Sequence, residues 1–150
     1  MRKRALLPLL ACLAIVALPA ELAGGQRRTS DVKLIAAMSG AEEVPAGDVD
    51  GYGAANITVR RNRRICWHIA ARNIEEDIVG GHIHRGARGE NGPIVVPLFD
   101  EADLDPSAKG CERVGRSLRR EIARFPSRFY VNIHTSPSFP DGAIRGQLSR

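Results

Sequence analysis

The chain has 150 residues, 43% hydrophobic and 26% charged, with 22 Lys+Arg against 17 Asp+Glu and a net charge of +5. That length holds one domain with its own core, not several. Three of the cations, Arg2, Lys3 and Arg4, stand in the first four residues; without them 19 face 17, a net +2, which argues against a protein built to bind nucleic acid.

Those cations precede an uncharged apolar run over residues 5–20, the layout of a secretory signal peptide cut near residue 20, or alternatively 23. The run is short of the roughly 20 residues a membrane helix needs. No membrane span is expected after cleavage, and the location expected is secreted or periplasmic. A lipoprotein cut at Cys12 would leave only a stub of hydrophobic region, so lipidation is not expected. Residues 21–31 (ELAGGQRRTSD) are polar and aperiodic and read as a flexible entry to a domain over 32–150. With Cys12 in the leader, Cys66 and Cys111 remain. In an exported protein they are most simply a disulfide; two separately buried thiols are the alternative.

The pattern that follows is mostly of period two. Residues 32–38 (VKLIAAM) read as a first strand, and 41–53 (AEEVPAGDVDGYG) as a long connection rich in turn formers. Residues 54–60 (AANITVR) place Ala55, Ile57 and Val59 on one face. RNRR at 61–64 turns the chain, and ICWHIAAR places Ile65, Trp67, Ile69 and Ala71 toward the core, completing a hairpin. IVGGHIHRG and residues 93–99 (PIVVPLF) follow as strands. GENGP between them reads as a turn with Asn91-Gly92 at its tight point and Pro93 launching the next strand. Gly86, Gly89 and Gly92, and later Gly142 and Gly146, read as loop-shaping positions. After the acidic DEADLDPSAKG, residues 117–125 (SLRREIARF) space Leu118, Ile122 and Phe125 as the apolar face of a short helix that Pro126 stops. Residues 129–135 (FYVNIHT) and 143–148 (AIRGQL) close the chain as strands joined by SPSFPDG. Seven or eight short strands and one small helix describe an all-β domain, an antiparallel β-sandwich or Greek-key barrel.

Alternation places His82 and His84 on one face of their strand, opposite Ile83, and His134 on the face opposite Val131 and Ile133. If the two strands lie close, three imidazoles converge under the loops. Three neutral imidazoles form a ligand set for Cu(II) or Zn(II), because their lone pairs are free at neutral pH. The more ordinary reading is that they hydrogen-bond loop backbone and hold GARGENGP against the sheet. His68 points away from the core side of its strand and reads as solvated. Ser136 and Ser138 lie near His134, but no acidic partner or oxyanion device accompanies them, so hydrolase chemistry gains no support and no catalytic residue is assigned.

MSGAEEVP, the Cys66-Trp67 pair, GGHIHRGARGENGPIVVPL, Gly110-Cys111 and YVNIHTSPSFPDGAIRGQL occur in the order seen in CHRD domains. That module is named after chordin and also occurs in short exported bacterial proteins; the resemblance spans roughly residues 34–148. It implies an immunoglobulin-like β-barrel with limited similarity to Cu/Zn superoxide dismutases. His82 and His84 resemble the H-x-H copper ligands of those enzymes, and His134 could stand for a third. Four histidines are too few for the second, zinc-binding cluster, so the two-metal enzyme is excluded by counting.

The leading functional expectation is a secreted, non-catalytic binding module. Its loops around residues 82–93 and 136–142 would face an extracellular or periplasmic protein or surface ligand. The second is a copper- or zinc-binding protein using His82, His84 and His134. A third, polyanion binding through RRNRR and Arg113, Arg116, Arg119, Arg120, Arg124 and Arg128, competes with the plainer reading of solvated faces.

Overall fold

The computed structural model describes residues 30–74, 76–100 and 107–150. The leader, nearly all of the 21–31 entry segment and residues 101–106 of the acidic connection lie outside the described residues. Among the described residues eight strands form: β1 (Val32–Ser39), β2 (Tyr52–Val59), β3 (Arg64–Arg72), β4 (Asp77–Arg85), β5 (Ile94–Phe99), β6 (Ala108–Arg113), β7 (Phe129–Ser136) and β8 (Ile144–Gln147). β6 begins inside the acidic segment 100–110, where a loop is expected, because it pairs with β3. A helix, α1 (Arg116–Arg124), lies between β6 and β7.

The strands make one sheet in the order β5-β4-β7-β8-β1-β2-β3-β6, and every neighbouring pair is antiparallel. The sheet curls into a nearly closed barrel whose edge strands, β5 and β6, approach without a hydrogen-bonded ladder. Period-two alternation supplies the core. Leu34 and Ala36 from β1, Ile57 and Val59 from β2, Ile65 and Ile69 from β3, Ile83 from β4 and Val131 and Ile133 from β7 are all buried. Cys66 and Cys111 stand directly opposite each other on β3 and β6 and are joined as a disulfide, which fastens the edge strand to its neighbour.

The helix departs from its expected span. It runs Arg116–Arg124, with Ile122 fully buried and Leu118 half-buried, but Phe125 is 38% exposed. Phe125 already has non-helical dihedrals (φ −130°, ψ 59°), because Pro126 follows and disfavours helical geometry in the residue before it. Its ring therefore leaves the apolar stripe and carries the guanidinium groups of Arg124 and Arg128 at 5.2 and 4.7 Å.

Candidate metal centre

β4 and β7 are adjacent, with Gly80 opposite His134, His82 opposite Asn132 and His84 opposite Tyr130. His82 and His134 are thus diagonal neighbours. The residue facing His134 is a glycine, so the His82 ring can lean across; a Cβ at Gly80 would lie 3.4 Å from His82 Cε1. The ring centroids are 4.9 Å apart for His82–His134, 5.7 Å for His82–His84 and 6.2 Å for His84–His134. Each histidine offers a ring nitrogen to one group, and these atoms all lie within 4.8 Å of one another.

The histidines project from the face opposite the core, but loops roof that face and His84 is only 8% exposed. Two of the rings anchor the roof. His84 Nδ1 donates to the Gly92 carbonyl at 2.8 Å, and His134 Nδ1 donates to the Pro140 carbonyl at 2.9 Å. A carbonyl can only accept, so both rings carry their proton on Nδ1 when neutral and keep a lone pair on Nε2. His84 Nε2, His134 Nε2 and His82 Nδ1 are buried and have no hydrogen-bond partner among the described residues. For His84 and His134 the metal-ligand and loop-anchoring readings are therefore compatible, since the two jobs fall to opposite edges of the ring. Burial, aided by the neighbouring His134 and His84 rings, pushes His82 down to about 4 against the opposing pull of Asp100. Burial also lowers His84.

A second layer supports the cluster. The Tyr130 ring stacks on His84, 4.9 Å away and 12° from parallel, and its hydroxyl accepts the Gly92 N–H at 3.2 Å. The Arg145 guanidinium lies 4.6 Å from the Tyr130 ring centroid. It donates to the Glu42 carbonyl at 2.5 Å, the Glu90 carbonyl at 3.2 Å and Asn91 Oδ1 at 3.1 Å. Glu43, as buried as Arg145, approaches it at 3.5 Å. Burial pushes the Glu43 carboxyl up to about 7, although Arg145, the Val44 backbone and Asn132 all pull it down. Sequence reasoning gave Glu43, Tyr130, Asn132 and Arg145 no role. The alternation that placed His134 also places Tyr130 and Asn132 on its face, so that signal was available for these two.

The glycine-rich loop differs from its expected form. Its tight turn spans residues 87–90, with Glu90 N–H donating to the Ala87 carbonyl and Gly89 at φ +79°, not Asn91-Gly92. Asn91 is instead a strut, with Nδ2 donating to the Val44 carbonyl and Oδ1 accepting from Arg145. Gly92 is required by close approach, since a Cβ there would stand 1.6 Å from the Arg85 carbonyl oxygen. Gly86 packs against the Tyr130 ring, Pro93 supplies the carbonyl bonded by Arg85 N–H, Gly142 sits against the Glu43 carboxylate and Gly146 against the Ala37 carbonyl. His68 is exposed and bonds Ser107 Oγ at 2.9 Å, outside the cluster. Ser138 donates its backbone N–H to Glu76 and His134 Nδ1 donates to the Pro140 carbonyl; among the described residues no hydrogen bond joins the His134 ring to Ser136 or Ser138.

The family model for the CHRD domain matches residues 34–148, and no curated protein matches the chain.

Proposed function

The chain belongs to the CHRD domain family, and on that footing we propose that it is an exported binding module whose ligand is a single copper or zinc ion held by His82, His84 and His134. The observation that carries the reading is the set of three buried, unpartnered ring nitrogens. A buried polar atom without a partner is costly, and one cation would satisfy all three. No carboxylate or thiolate joins the group among the described residues, which leaves a neutral imidazole set of the kind copper and zinc accept.

The fit requires a modest movement. Metal–nitrogen bonds of about 2.0–2.1 Å put tetrahedral ligand nitrogens roughly 3.4 Å apart, so from separations of up to 4.8 Å the widest pair closes by up to about 1.4 Å through ring rotation. The Gly92 and Pro140 carbonyls already fix the tautomers that the ion needs at His84 and His134. Three protein ligands leave a fourth position for water or a small ligand. Export is supported by the composition of the leader and by a disulfide, which persists in oxidising compartments.

The test is titration of chelator-stripped, oxidised protein with Cu(II) and then Zn(II), using a competing chelator and calorimetry. One-to-one binding below micromolar, lost when His82 and His84 are both replaced by Ala, is the expected result. Unchanged affinity in that double variant removes the proposal.

A further inference from the structure

The basic turn RRNRR at residues 60–64 and the arginines that follow residue 112 are distant in sequence, and the fold brings them to one end of the barrel. Arg64 and Arg113 stand directly opposite each other on β3 and β6. Val114 N–H donates to the Arg63 carbonyl, and the Arg119 guanidinium donates to the Arg60 carbonyl, each at 2.8 Å. The β2–β3 turn, the end of β6 and the start of α1 are therefore one continuous surface. Arg61, Arg63, Arg64, Arg113 and Arg116 are all exposed on it. Among the described residues none of these five is ion-paired with a carboxylate. Asp31 accepts the Arg61 backbone N–H, Glu112 is exposed on β6, and Glu121 further along α1 is taken by Arg85.

Two features here run against stability. Like charges directly opposite on a sheet repel, and Arg63 holds a φ of 66°, in the left-handed region that glycine and asparagine adopt more easily. Anionic charge brought by a partner would account for a surface that keeps both.

We infer that this end of the barrel binds a sulfated or phosphorylated polysaccharide. Guanidinium groups meet sulfate and phosphate oxygens in bidentate geometry, and a linear anionic chain can span the turn and the helix start together. Bound single-stranded nucleic acid would call for aromatic rings on which bases stack. The large hydrophobic side chains exposed among the described residues, Tyr52 and Phe125 included, fall outside the turn, β6 and the first turn of α1. The same absence of apolar anchors argues against membrane insertion.

The test measures binding of size-fractionated heparin to the purified protein at about 0.15 M salt, and the slope of affinity against salt. R61Q/R63N/R116Q is compared with R124Q/R128Q/R150Q, which removes equal charge elsewhere. Asparagine at 63 suits the left-handed backbone, and melting curves check both folds. The first variant is expected to lose at least tenfold in affinity, with a salt slope shallower by about three, while the second loses less than threefold. R116Q alone, on an exposed helix position, is expected to weaken binding about threefold. Equal losses in the two triple variants, no wild-type binding at this salt, or tighter binding of a charge-matched single-stranded oligonucleotide would each overturn the inference.

Discussion

His84 Nδ1 lies 2.8 Å from the Gly92 carbonyl oxygen, so one edge of the ring holds the glycine-rich loop while the other presents a buried Nε2 to its neighbours. The two roles separate in a single substitution. His84→Asn keeps a donor near the Nδ1 position and deletes the ε nitrogen. Its melting temperature should stay within a few degrees of wild type, while affinity for Cu(II) falls by about 100-fold. Calorimetric titration alongside a thermal melt checks both, and undiminished affinity would remove His84 from the ligand set.

Arg145 and Glu43 form a buried pair, and Arg145 also bridges the loops at Glu42, Glu90 and Asn91. Arg145→Ala leaves a buried carboxylate without its cation and three acceptors without their donor. A loss of about 3–5 kcal/mol is expected in urea unfolding at pH 8. The loss should be smaller at pH 5, where Glu43 can take up a proton. The double replacement Glu43→Gln with Arg145→Met should recover part of the stability at pH 8, because no charge is then stranded.

The stability of the metal-free protein should show opposing pH limbs. His82 is held near 4 against an ordinary value of 6.5, so its contribution is complete above pH 6.5 and is lost as pH falls toward 4. Glu43 is raised to about 7 from 4.5, so its contribution is complete below pH 4.5 and is lost as pH rises through 7. His82→Gln should flatten the acid limb and Glu43→Gln the limb between pH 4.5 and 7, each measured as unfolding free energy across pH. Parallel profiles for the wild type and either variant would contradict the assignment to that residue.

Two glycines should respond in opposite directions. At Gly92 a methyl group would collide with the Arg85 backbone, whereas Gly115 has nothing within 4 Å and precedes the helix without a side-chain cap. Gly92→Ala should cost about 1–3 kcal/mol and weaken metal binding, because it displaces the carbonyl that orients His84. Gly115→Ser should be neutral or stabilise by a few tenths of a kcal/mol. Thermal melts of the two variants, with metal titration of the first, give the answer.

The Cys66–Cys111 bond closes a sequence separation of 45 residues. Replacing both cysteines with Ala should lower stability by up to about 4 kcal/mol, the loop-closure entropy for that length, read from urea unfolding of variant and wild type.

The sequence alone was enough for seven of the eight strands, because a half-buried strand repeats every two residues; β6 falls partly in the acidic connection and has no buried face, so it carries no such period and was not legible. Ala55, Ile57 and Val59, and then Ile65, Trp67, Ile69 and Ala71, declare their inward face without any knowledge of the neighbouring strand. It also sorted the histidines onto the face away from the core, since that too is local alternation; His68 shares that face and is set apart only because β3 pairs with β2 and β6, not with β4 or β7. The loop was less legible. Asn91-Gly92 has the composition of a tight turn, but Asn91 is claimed by Val44 and Arg145, partners 47 and 54 residues away, and the turn moves to Gly89. Phe125 kept its helical spacing on paper and lost its place in the core to the backbone bend before Pro126. Only the tertiary structure decided that β4 lies beside β7, which turns two histidines and a distant third into one cluster. It also decided that Arg145 and Glu43 meet beside Tyr130. Strand order and long-range pairing depend on how faces pack across the whole barrel, and the local period that identifies a strand carries no information about its neighbour.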